Sequence, residues 1–169
     1  YVAGGKHNFV HNTIAAYYGY PYTNLNIHNN ILADDVAAVY INNLSKNNAK
    51  TNSSFSNCII TGGRKNNLVV ATPLSDYYEG RFEGNYLRTD SLDKVYAKNN
   101  VYASDSDSCV FRNIYYLYKE YHYYDFRLDS LSPACGIGDS IVALSYPQDR
   151  AGNRRKQYPD AGCYEYIEE

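Results

Sequence analysis

One short pattern recurs five times along this 169-residue chain and limits what it can fold into. It runs apolar, any residue, two positions favouring Asn, any residue, apolar. It reads Phe9-Val10-His11-Asn12-Thr13-Ile14, Ile27-His28-Asn29-Asn30-Ile31-Leu32 and Phe55-Ser56-Asn57-Cys58-Ile59-Ile60. It continues as Phe82-Glu83-Gly84-Asn85-Tyr86-Leu87 and Ala97-Lys98-Asn99-Asn100-Val101-Tyr102. The start-to-start spacings of 18, 28, 27 and 15 residues suit windings of a solenoid. They carry no helical period, so a helix–turn–helix repeat is excluded.

The motif reads as strand, bend, strand. Apolar residues on either side point inward, and Asn or Gly between them accepts the left-handed backbone that a sharp bend requires. Ile27, Ile31, Phe55, Ile59, Phe82 and Val101 mark the strands. If windings stack at about 4.8 Å, Asn12, Asn30, Asn85 and Asn100 lie over one another as an amide ladder. Cys58 takes the ladder position of its own motif and reads as a buried thiol. A β-sandwich with Asn-rich turns is the alternative.

Composition supports an all-β reading. With 21 Tyr, 19 Asn and neither Trp nor Met, the chain lacks the strong helix formers of a bundle. Apolar residues at 44% allow a packed core. A net charge of −2 and a pI near 6.1 argue against a nucleic-acid partner. No apolar run reaches the roughly 18 residues of a membrane span. The four cysteines show no C-x-x-C spacing, so no zinc site is indicated. The chain starts at Tyr1 without a signal pattern, as a processed or truncated product would.

Between the motifs, residues 17–23, 42–54, 62–67 and 73–80 read as projecting loops. The repeat stops after Tyr102. Residues 1–108 are therefore expected to form windings, and residues 109–169 a C-terminal cap covering the last open edge.

The tail carries the most specific signal. Ser132-Pro133-Ala134-Cys135-Gly136-Ile137-Gly138 is followed by Asp149-Arg150-Ala151-Gly152-Asn153-Arg154-Arg155 and Asp160-Ala161-Gly162-Cys163-Tyr164-Glu165-Tyr166. This series resembles the C-terminal end of secreted bacterial, Bacteroides-type, right-handed parallel β-helix proteins. The resemblance implies a single-stranded parallel β-helix of about five windings plus a cap, with a pectate-lyase-like fold. It also implies a secreted or cell-surface location and association with polysaccharide or surface glycan. It does not imply catalysis, because the fold hosts lyases, hydrolases, adhesins and inert stalks alike. Cys135 and Cys163 stand where the family usually has small or apolar residues, and Arg154 where Pro is common. Two such changes on either side of the closure imply a Cys135–Cys163 disulfide, permitted by an exported location. Arg155, just before the last strand, is expected to clamp Asp160 or Glu165.

Candidate site residues follow from carbohydrate chemistry. Sugar C–H faces pack on aromatic rings while phenols bond sugar hydroxyls. Tyr17, Tyr18, Tyr20 and Tyr22 in one loop, with Tyr77 and Tyr78 in another, are the candidate platform. The tyrosines between Tyr115 and Tyr124 read instead as packing. A lyase would need carboxylates holding Ca²⁺ beside a basic side chain. Asp34, Asp35, Asp105 and Asp107 are the available carboxylates, and Lys6, Lys65, Arg81 and Arg88 the available bases. No spacing singles any of them out, so catalytic residues are not assigned. His7, His11, His28 and His122 have the near-neutral pKa a base needs, but His11 and His28 fall within bend motifs and read as structural. The function expected is polysaccharide binding or processing. The alternatives are a non-enzymatic adhesin and a structural cap of a longer β-helix.

Overall fold

Thr51, Ser53 and Phe55 are buried while Asn52, Ser54 and Ser56 between them are half-exposed, the period of two that defines a strand with one face inward. The computed structural model describes residues 5–17, 37–42, 50–63, 65–71, 78–90, 92, 95–104, 107, 109–114 and 124–168. Within them lie β1 (Gly5–Val10), β2 (Thr13–Ala16), β3 (Val39–Asn42), β4 (Thr51–Ser56), β5 (Ile59–Gly62) and β6 (Leu68–Ala71). They continue with β7 (Tyr78–Glu83), β8 (Tyr86–Leu87), β9 (Tyr96–Lys98) and β10 (Val101–Tyr102). β11 (Phe111–Asn113), β12 (Asp125–Leu128) and one short helix, α1 (Ser140–Leu144), complete the set.

The fold is all-β with parallel sheets. The first sheet runs β1-β4-β7-β9, the second β2-β5-β8-β10, and the third pairs β3 with β6. Every pairing within these three sheets is parallel, an arrangement compatible with a β-helix. Phe9, Phe55 and Phe82 are register partners. Their rings stack with centroids 4.6 and 5.0 Å apart and planes within 8° and 3°. With Ile60, Leu87, Val39, Ile41 and Leu68 they form the core enclosed by the three sheets.

Between first and second sheets the chain makes one bend per strand pair. His11, Asn57, Gly84 and Asn99 open these bends with φ of 51°, 54°, 65° and 54°. Gly84 is required for a second reason, since a Cβ there would sit 2.7 Å from Asn57 Oδ1. The next residue in each bend is the ladder position. Asn85 Nδ2 donates to Phe55 O at 2.9 Å, and Asn100 Nδ2 to Phe82 O at 2.9 Å. Cys58 does the same with sulfur, its Sγ lying 3.4 Å from Phe9 O. The rungs also join each other, because Asn85 donates from Nδ2 and from its backbone N–H to Asn100 Oδ1 at 2.8 and 3.0 Å. Asn12 instead turns back to Val10 O at 2.9 Å. Asn30 and its motif lie outside the described residues. β1 pairs directly with β4, so no strand stands between the first and third motifs. Among the described residues the first, third, fourth and fifth motifs follow one another in that order.

The tail is placed differently from the expected end cap. Ile60 and Leu87 point into the core, so Ile59 and Tyr86 point out of the opposite face of the second sheet. Apolar residues on both faces require cover on both. Val110 and Phe111, Leu128 of the antiparallel β11–β12 pair, Ala134 and Ala161 supply it. The tail reaches back along this face to the first strand pair, where Cys163 N donates to Thr13 Oγ1 at 3.1 Å. It covers a side of the sheets rather than only their last edge.

Candidate functional site

β2 ends beside a recess whose walls are aromatic. Ala15, Tyr17, Tyr124 and Phe126 line a cavity of about 220 Å³. Alternation in Tyr124-Asp125-Phe126 turns the two rings to one side, where they stack at 5.7 Å with planes within 3°. Phe111 braces the floor, meeting Tyr17 edge-on at 6.4 Å and Phe126 at 5.3 Å. Burial pushes the Tyr17 phenol up, while a hydrogen bond with Thr61 and the charge of Arg88 pull it the other way. The phenol stays protonated and able to donate. The space is smaller than the roughly 300–1,000 Å³ of drug-sized sites and is on the scale of one sugar ring. Flat rings beside a phenol suit a ligand with a C–H face and peripheral hydroxyls.

Of the six candidate tyrosines, Tyr17 alone lies in this recess among the described residues. Tyr18, Tyr20, Tyr22 and Tyr77 fall outside the described residues. Tyr78 is corrected to a core residue. It is 8% exposed, and its hydroxyl lies 2.8 Å from Ser53 Oγ inside the sheets. Its position as the first inward residue of β7 determines this, and Gly80 leaves room for the ring, since a Cβ there would be 2.5 Å from the Tyr78 hydroxyl. Tyr124, read from sequence as packing, and Phe126 are pocket residues that the sequence reading missed. The signal was their spacing of two in an otherwise irregular segment.

The charged candidates do not converge. Asp34, Asp35, Asp105, His28 and His122 lie outside the described residues. Asp107 accepts from the Tyr86 hydroxyl, Ser104 N and Ser104 Oγ at 2.8, 2.8 and 2.9 Å. Lys65 pairs with Asp90 at 3.3 Å, and Arg81 with Glu83 at 2.8 Å. The Arg81 guanidinium also lies 4.9 Å from the centre of the Tyr96 ring. Arg88 reaches Ser104 O at 3.4 Å, and Lys6 is exposed on β1. Among the described residues no three His, Cys, Asp or Glu side chains gather as metal ligands.

The closure of the tail is well formed. Arg155 Nη1 donates to Glu165 Oε1 at 2.8 Å, with both side chains almost fully buried. Glu165 Oε1 also accepts Asp160 N at 3.1 Å, and Asp160 itself pairs with Lys156 at 3.5 Å. The expected disulfide is corrected: Cys135 and Cys163 are free cysteines. Hydrogen bonds Ala161 N to Ala134 O and Gly138 N to Pro159 O set the two segments against each other. Cys135 thereby falls opposite the Asp160 region, while Cys163 is carried past it to Thr13. Burial, and then the Asp160 carboxylate, push the Cys135 thiol up to about 11.

No protein-family model, curated protein or solved structure matches the chain. Among the described residues no helix is long and apolar enough to cross a membrane.

Proposed function

We propose that the chain is a right-handed parallel β-helix module of an exported bacterial protein and that it binds polysaccharide. In this reading residues 1–108 wind, residues 109–169 close the structure, and the glycan docks at the recess of Tyr17, Tyr124 and Phe126. The aromatic recess carries the reading: the stacked Tyr124 and Phe126 rings offer one sugar a flat face, and the adjoining Tyr17 phenol, itself bonded to Thr61, is the proposed polar partner. The parallel sheets, the stacked phenylalanines and the Asn rungs support the β-helix part. The reading is of binding alone; Lys65 and Arg81, two of the candidate bases, are each tied to a carboxylate.

Affinity electrophoresis through gels containing plant, fungal or bacterial polysaccharides tests this reading. The wild-type protein is expected to be retarded in at least one gel. Tyr124→Ala, a change at a surface ring, is expected to abolish the retardation and to alter stability by less than about 0.5 kcal/mol. Free migration of the wild type in every gel, or equal retardation of the variant, contradicts the proposal.

A further inference from the structure

His11 opens the first bend, a place where Asn57, Gly84 and Asn99 serve in the others. The bend needs only a residue tolerant of positive φ, so the imidazole is an addition. It is 7% exposed and sits under the tail. Its Nε2 lies 3.1 Å from Asn57 Nδ2. The direction of that hydrogen bond is fixed from outside the pair. Asn57 Oδ1 accepts Asp139 N at 2.6 Å and Asn57 Nδ2 donates to Asp139 O at 2.9 Å, so the amide cannot flip without losing both. Nε2 must then be the acceptor, with the imidazole neutral and its proton on Nδ1.

We infer that His11 and Asn57 form an acid-released latch that holds the tail, from Asp139 onward, against the second sheet. A proton on Nε2 sets donor against donor, and the Asn57 amide cannot turn away without losing Asp139. The groups facing His11 make that proton costlier still. Arg155, from the tail, donates from Nη2 to Gly162 O at 3.3 Å, and its Nη1 is held by Glu165. Asp160, Lys156 and Asp149 stand behind Glu165. The Tyr146 ring meets the imidazole edge-on at 6.3 Å. The neighbouring bend contributes only the neutral Asn57, which itself accepts Gly162 N at 2.8 Å.

The direction of the response follows. Burial, then the Arg155 charge, hold His11 down to about 4 from an ordinary 6.5, with the Gly162 carbonyl acting the other way. In the released state His11 titrates normally. The released state therefore binds more protons between those values, and the latch loses its hold as pH falls from 6.5 to 4. Glu165 acts in the opposite sense. Burial, then Asp160, push its carboxyl up, so its own linkage favours the closed state as pH falls. The acid sensitivity is thus assigned to His11, with an expected change in the opening equilibrium of about a hundredfold. Release lifts Ala161 from the cover over Ile59 and Tyr86, while Val110, Phe111, Leu128 and Ala134 stay in place.

Hydrogen exchange read by mass spectrometry between pH 7 and pH 4, corrected for intrinsic rates, tests the latch on the intact chain. Residues 139–166 are expected to lose protection about a hundredfold while β4, β5, β7 and β8 keep theirs. His11→Asn keeps a side chain that suits the bend, and its tail protection is expected not to fall between pH 7 and pH 4. A proton NMR titration gives an independent check. The imidazole signal absent from His11→Asn is expected to titrate near 4. Titration near 6.5, loss of protection in tail and sheets together, or an unchanged pH response in His11→Asn would each overturn the latch.

Discussion

Asn57 and Asp139, 82 positions apart, pair side-chain amide to backbone peptide through two hydrogen bonds of 2.6 and 2.9 Å. The side chain of a bend residue thus acts as a short strand edge, on which the tail begins. The backbone of Asn57 is equally committed, since its N–H donates to Glu83 O at 3.0 Å and its C=O accepts Gly162 N at 2.8 Å. One residue therefore ties its own strand pair to the next and both to the tail.

The Asn57 side chain is accordingly expected to matter more than its bend conformation. Asn57→Gly preserves the positive φ and removes only the amide, leaving buried partners unsatisfied. A loss of about 2–4 kcal/mol in urea unfolding is expected. Asn99→Gly, at an exposed bend of the same φ, is the control and is expected to change stability by less than about 0.5 kcal/mol. Equal effects at the two sites would show that the amide clamp contributes little.

Cys58 occupies an asparagine rung, with Sγ 3.4 Å from Phe9 O and 3.3 Å from Ser56 O. Burial pushes its thiol up to about 12. Alkylation followed by peptide mapping is expected to leave Cys58 unmodified until the protein unfolds. Cys58→Asn is expected to be at least as stable as the wild type, because an amide of similar volume restores the stronger donor. Destabilisation by more than about 1 kcal/mol would mean that the rung is not interchangeable.

Arg155 and Glu165 are 3% and 0% exposed, so removing one leaves the other buried and unpaired. Arg155→Ala is expected to cost about 3–5 kcal/mol. The double variant Arg155→Met, Glu165→Leu is expected to recover part of that loss. Chemical denaturation of the single and double variants measures the coupling, and simple additivity of the two losses would contradict a direct pair.

Asp149 organises the turn before the last segment. Its Oδ1 accepts Ala151 N and Asn153 N, both at 2.8 Å, and its Oδ2 accepts Asn153 Nδ2 and Glu165 N at 3.0 and 2.9 Å. Burial opposes the charge, but these donors outweigh it and hold the carboxyl below its usual 3.8. Its contribution is present above that value and disappears as pH falls below it. Asp149→Asn is expected to cost about 1–3 kcal/mol at pH 7 and progressively less as pH falls below 3.8. A cost independent of pH would assign the effect to shape instead of charge.

The strand–bend–strand units were legible because their physics is local. An apolar pair flanking a residue tolerant of positive φ nearly specifies itself, and Phe55, Gly84 and Asn85 sit as the motif implies. The order of stacking was not local. Phe9 pairs with Phe55 across 46 positions, and nothing in the motif at Ile27 reveals that β1 and β4 are neighbours. Tyr78 looked like a loop aromatic because the start of β7 has no boundary signal, and only the register with Thr51 turns it inward. The recess escaped the sequence reading for a similar reason. Its two halves, Tyr17 and Tyr124, are brought together by the tail folding over the second sheet. The cysteine pairing failed because facing segments were inferred without their offset, which the Ala134–Ala161 hydrogen bond sets.

Glycan binding at that recess is open to calorimetric titration. An oligosaccharide cut from whichever polysaccharide retards the protein would be titrated into the wild type, Tyr17→Phe and Tyr124→Ala. Saturable one-to-one binding is expected, with about tenfold weakening when Tyr17 loses its phenol and no measurable binding when Tyr124 loses its ring. Wild-type affinity in both variants would place the ligand elsewhere and contradict the account.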